Sequence, residues 1–120
     1  MNKYEYLKES LVKTGTGIMK CFGNSMLPKL SNPSTCVYAV QDKYEIGDIV
    51  FCKVKGRYID AHLITKIDGD GLHARYMIAN NHGWENGWTK TIYGKVVTAY
   101  NKEDKVIYNA PVKIKEQEKK

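Results

Sequence analysis

Along residues 2–13, NKYEYLKESLVK, the apolar positions Tyr4, Leu7 and Leu11 recur at helical spacing, flanked by Tyr6 and Val12. Asn2 is a candidate N-cap, and Gly15 and Gly17 stop the run. The pattern predicts one short amphipathic helix over 2–13, and the helical period then disappears. Short β-type runs separated by turn signals take its place. CVYAV (36–40) is one, and DIVFCKV (48–54), entered through Gly47, is another. Gly56-Arg57 make a turn, YIDAHLITKI runs from 58 to 67, and DGDG (68–71) ends it. LHARYMIA (72–79) follows, then the loop NNHGWENGW, in which Asn86-Gly87 is a two-residue hairpin signal. TIYGKVVTAY and KVIYN flank the polar turn NKED as a second hairpin. The expectation is a mainly β fold of about seven short strands with one N-terminal helix. A single domain over 1–112 would carry it, with helix and linker in 1–17 and a charged, disordered tail over 113–120.

Composition adds little to the fold but narrows the chemistry. At 120 residues the chain is long enough for one domain with a real core. The mean hydropathy is -0.49, and no apolar run approaches the ~18 residues of a membrane span. The first ten residues hold two glutamates and no apolar block, so neither a signal peptide nor a membrane anchor is expected, and a cytoplasmic location is. Three cysteines, Cys21, Cys36 and Cys52, are too few and too widely spaced for a zinc knuckle and read as reduced thiols in a core. No metal or other cofactor is expected. The net charge of +6 invites a nucleic-acid reading, yet only Arg57 and Arg75 among 19 basic residues are arginines. Arginine is the residue that clamps phosphates and reads bases bidentately, and the lysines are scattered among acids. Nucleic acid is therefore disfavoured as a partner, and Trp84 and Trp88 are expected to pack across the hairpin or cover a cleft.

The stretch Gly23-Asn24-Ser25-Met26-Leu27-Pro28 is the chemical candidate. A glycine, a turn-prone asparagine and a proline around one serine hold its hydroxyl in a fixed pose. A hydroxyl becomes a nucleophile only when a nearby base takes its proton. Of His62, His73 and His82, only His62 stands inside a well-marked strand, a rigid mount for a base. Alternation would place Asp60, His62, Ile64 and Lys66 on one face of that strand. Spacing alone gives such a histidine no more than a packing role.

Taken in order, GNSMLPKL, EIGDIVFCKV and YIDAHLITKIDGDG resemble the serine peptidase superfamily of signal peptidases and LexA-type self-cleaving repressors. The resemblance spans roughly residues 18 to 97. It implies a Gly-x-Ser-Met-x-Pro box with Ser25 as nucleophile, and Gly23, Asn24 and Met26 as the turn that shapes the oxyanion site. Most of the superfamily uses lysine as base. The position here is His62, as in archaeal and endoplasmic-reticulum signal peptidases, and an imidazole titrating near ~6.5 needs no large shift to accept a proton. Lys53 and Lys66 do not fall at the matching position. The histidine forms also carry an aspartate-bearing segment that supports the imidazole. Here that stretch is ANNHGWEN (79–86), with Asn80 at the first acidic position and Glu85 the nearest acid downstream. Asn80, Glu85 and Asp60 are accordingly the candidates for a third member.

Neither a membrane anchor like that of the signal peptidases nor a DNA-binding domain like that of the repressors is expected, and no Ala-Gly or Cys-Gly dipeptide occurs in the sequence. What the sequence leads one to expect is a free-standing serine endopeptidase domain, of a kind that suits a phage or mobile element. It would act on an extended protein or peptide through Ser25 and His62. The alternative is a pseudo-peptidase that binds a segment in the same groove without cutting it, with weak nucleic-acid binding as the third reading.

Overall fold

The computed structural model describes residues 1–111. Helix α1 spans Lys3–Thr14, one residue on from the predicted run. Asn2 caps it: its Oδ1 accepts the Glu5 N–H at 2.9 Å, and Glu5 Oε1 accepts the Asn2 N–H at 3.2 Å, satisfying two N–H groups that a helix start leaves bare. Gly15, left-handed at φ 82°, ends the helix by donating its N–H to Leu11 O. Leu7 and Leu11 form the buried stripe.

Eight strands follow in one antiparallel sheet: β1 Thr16–Cys21, β2 Ser34–Ala39, β3 Ile49–Val54, β4 Arg57–Asp68, β5 Arg75–Ala79, β6 Glu85–Thr89, β7 Ile92–Tyr100 and β8 Val106–Asn109. The order is β1-β2-β7-β3-β4-β5-β6, with β8 also paired to β7. Mainly β with one N-terminal helix is therefore correct, with eight strands in place of about seven. To the six runs marked in the sequence the structure adds β1, whose first residues fall in the expected linker, and β6. Residues 71–73 form a short 3-10 turn, so His73 lies outside β5, which begins only at Arg75. The expected tail over 113–120 lies outside the described residues.

The continuous apolar run of β3 is explained by its central place. Ile49 and Phe51 face a core with Tyr38, Val96, Leu7 and Leu11, while Val50 and Cys52 face a second with Ile64 and Ile78. A strand buried on both faces needs apolar residues at every position. Tyr4, Phe51, Tyr58 and Tyr93 stack into one aromatic group that fastens α1 to β3 and β4. Phe51, fully buried, contributes about 1.5–3 kcal/mol by leaving water, and the partly buried tyrosines less. Gly17 admits this docking, because a Cβ there would stand 2.6 Å from Leu7 Cδ1.

Candidate active site

Ser25 follows β1 directly, in a turn fixed from below and from the sides. Met26 and Leu30 are buried beneath it, and Leu30 N–H bonds to Met26 O. Gly23 sits at φ 109°, a conformation that L side chains rarely adopt. Its N–H reaches Asn32 Oδ1 at 2.9 Å, and Asn32 Nδ2 donates to Asn24 Oδ1 at 3.0 Å. From across the site, Asn81 donates its N–H to Ser25 O and its Nδ2 to Leu27 O, both at 2.9 Å. His82 Nε2 donates to Asn24 O at 3.2 Å.

The Ser25 hydroxyl lies 3.1 Å from His62 Nε2. On the far side of the ring, His62 Nδ1 lies 2.7 Å from Asn86 Oδ1. An amide oxygen only accepts, so Nδ1 carries the proton and Nε2 presents its lone pair to the serine. That is the tautomer a general base needs. Neither candidate lysine competes, since the Lys53 ammonium lies over the Tyr58 ring and Lys66 pairs with Glu85.

Two β-bulges bring this row together. Opposite Phe51, β4 carries two residues, Asp60 and Ala61, because Val50 pairs with His62 but Cys52 with Ile59. The strict alternation expected across 60–66 is thereby broken. On β6, Ile78 pairs with Gly87 and the adjacent Ala79 with Glu85, so Asn86 is the extra residue. Gly87, at φ 132°, supplies the backbone freedom for that bulge. Bulges re-aim side chains, and these two turn His62 and Asn86 towards each other.

The three expected third members are all elsewhere engaged. Asp60 Oδ1 accepts the Ala61 N–H and its carbonyl accepts Tyr38 O–H. Glu85 forms a 3.3 Å surface pair with Lys66. Asn80 Oδ1 accepts the N–H groups of His82 and Trp84, building the turn that presents Asn81 and His82. Asn86 was hidden because Asn-Gly reads as a hairpin turn, whereas the turn falls at 80–84 and Asn86-Gly87 lies inside β6. An alternative reading of the same dipeptide, a glycine-marked bulge within a β run, could have found it. Trp84 is exposed, and Trp88 lies under the Arg75 guanidinium.

A small pocket of about 10 Å³, room for roughly one water, opens beside Ser25. Cys21, Gly23, Met26, Leu30 and Ala61 line it. Among the described residues no group of three His, Cys, Asp or Glu is placed to hold a metal ion, and no helix is long and apolar enough to cross a membrane. No protein-family model matches the chain, and no curated protein matches it either.

Proposed function

We propose that this chain is a serine endopeptidase-like protein that cleaves an extended protein or peptide segment, with Ser25 as nucleophile and His62 as general base. The observation that carries the reading is the continuous row Asn86 Oδ1, His62 Nδ1–H, His62 Nε2, Ser25 O–H, at 2.7 and 3.1 Å. As Ser25 Oγ attacks the scissile carbonyl, its proton passes to His62 Nε2. The imidazolium then gives that proton to the departing amine, and water hydrolyses the acyl-serine by the same route in reverse. The Ser25 N–H has no protein acceptor among the described residues and is the candidate donor to the oxyanion. The pocket beside Ser25 admits only a small side chain at the cleaved bond. The motif order resembling signal peptidases and LexA-type repressors supports the same reading.

Asn86 sets how fast such a site runs. It fixes the imidazole tautomer as a carboxylate would, but adds no negative charge to the imidazolium formed in the transition state. That neutral partner also favours the second reading, a pseudo-peptidase that holds a segment without cutting it. The test is turnover of a peptide library with small residues throughout, by wild type and by Ser25→Ala. Cleavage by wild type alone supports the peptidase. Cleavage by neither, with equal binding by both, leaves a binding groove.

A further inference from the structure

An open groove lies between α1 and β1 and shares Phe22 with the pocket beside Ser25. It has room for about 400 Å³, within the range of roughly 300–1,000 Å³ typical of ligand sites. Tyr6, Leu7, Ile18 and Phe22 form its apolar lining, with Lys3 and Lys20 at the rim. Tyr6, Ile18 and Phe22 are each more than 60% exposed, an unusual concentration of large apolar surface on so small a protein.

The backbone along the groove is an unpaired edge. β1 ends the sheet order, and Gly15 O bonds to Val40 N on the β2 side. Odd-numbered positions thus point towards β2, and Thr16, Ile18 and Lys20 point outwards. Side chains of α1 cover the outward carbonyls at both ends, with Ser10 Oγ donating to Thr16 O and Lys3 Nζ to Lys20 O. Between them Ile18 is left to pair with another strand. The acids on α1 do not neutralise the rim, because Glu5 serves the cap and Glu9 pairs with Lys13.

From these observations we infer that the groove is a specificity site for the flank of the same peptide whose small residue enters at Ser25. This deepens the peptidase reading and rests on it. The occupant is an extended segment that pairs with Ile18, buries one bulky apolar side chain against Ile18 and Phe22, and places an acidic residue at Lys3 and Lys20. β-strand addition supplies backbone bonds while side-chain pockets supply selectivity. Phe22 is three residues before Ser25 and Ile18 seven. Only the β1 part of that path has the full strand rise of about 3.3 Å per residue, and the turn after Cys21 shortens the rest, so the anchor falls roughly three to six positions from the cleaved bond.

The experiment is fluorescence anisotropy with the full Ser25→Ala chain, which needs no chemistry. Labelled Ser/Gly peptides carry a central alanine, with leucine and glutamate set three to six positions away on one flank or the other. Leucine→serine in the peptide is expected to weaken binding about tenfold for the productive flank, and Phe22→Ser or Ile18→Ser in the protein to do the same. Lys20→Glu, which leaves Lys3 facing an acid, is expected to abolish the preference for glutamate. Both apolar residues are exposed, so these variants keep the core. Equal affinity for every peptide, or binding to none, overturns the inference. So does self-association, or adsorption to anionic phosphatidylglycerol vesicles, that takes the place of peptide binding and is lost in Phe22→Ser. Anchor-dependent binding without wild-type cleavage would sink the peptidase reading alone; cleavage indifferent to the anchor would sink the groove alone.

Discussion

Two nucleophilic groups face the same small pocket, the Ser25 hydroxyl and the Cys21 thiol. By intrinsic chemistry the thiol is the stronger. Their surroundings reverse the order. Cys21 is 5% exposed, within 3.2 Å of the Tyr38 hydroxyl. Its neighbour Cys36, and then burial, push its pKa far above the ordinary thiol value. Cys52 is held up to about 12 by burial and by the charge of Asp60. No base waits beside either thiol among the contacts of the described residues, whereas Ser25 has His62 at 3.1 Å. On the proposed reading, a base in reach, not the nucleophile's own acidity, decides which group reacts.

The largest expected effect that would break this contrast comes from the pair itself. Ser25→Ala is expected to remove peptide cleavage, by about 10³-fold or more, with an unchanged urea midpoint. His62→Ala should fall nearly as far, since nucleophile and base act as one unit. If Cys21→Ala removes activity in their place, the contrast is inverted.

The next effect is at Asn86. Asn86→Ala removes one hydrogen bond worth about 0.5–1.5 kcal/mol and should lower kcat up to about tenfold. Asn86→Asp keeps the geometry and adds the missing charge, so kcat should rise by about tenfold, charge-assisted bonds being about twice as strong as neutral ones. Asn80→Asp, which only touches the 80–84 turn, should leave kcat within about twofold. The side-by-side kcat values check all three.

How these positions read in the sequence follows from what kind of signal each leaves. Helix α1 was legible because cap, period and glycine stop agree, and β3 because burial on both faces writes an unbroken apolar run. Ser25 and His62 were legible from local turn chemistry and a strand mount, together with the motif order. β1 was not, because Gly15 and Gly17 read as stops after α1 and put the start of Thr16–Cys21 in the linker. Asn86 was not, because a bulge has the same Asn-Gly signature as a turn, and only long-range pairing tells them apart. The paired roles of Asn32 and Asn81 as clamps on the Ser25 turn depend on contacts as distant in the chain as that of Asn81 with Ser25, which no local pattern records.

On the packing side, Gly17→Val is expected to cost about 1–3 kcal/mol by driving Leu7 from its place, read as a lower urea midpoint. Activity per folded molecule should change less than stability.

The smallest effects concern the thiols. The unfolded chain ionises its cysteines near ~8.5, while the fold keeps Cys21 and Cys52 protonated. Their folded pKa values are raised, so the unfolded state holds fewer protons above that pH, and stability falls as pH rises from about 8.5 towards 12. The fall between pH 7.5 and 10.5 should be smaller in Cys52→Ala than in wild type. At pH 8, iodoacetamide should label all three cysteines rapidly in urea and hardly at all in the native protein, by mass spectrometry.

The central claim is that His62 activates Ser25 while the neighbouring thiols stay silent, and a fluorophosphonate ester tests it without knowledge of the substrate. Mass spectrometry of the native chain after reaction should find one adduct, on Ser25, absent in His62→Ala. No adduct on Ser25, or one that forms equally fast in His62→Ala, would contradict the account.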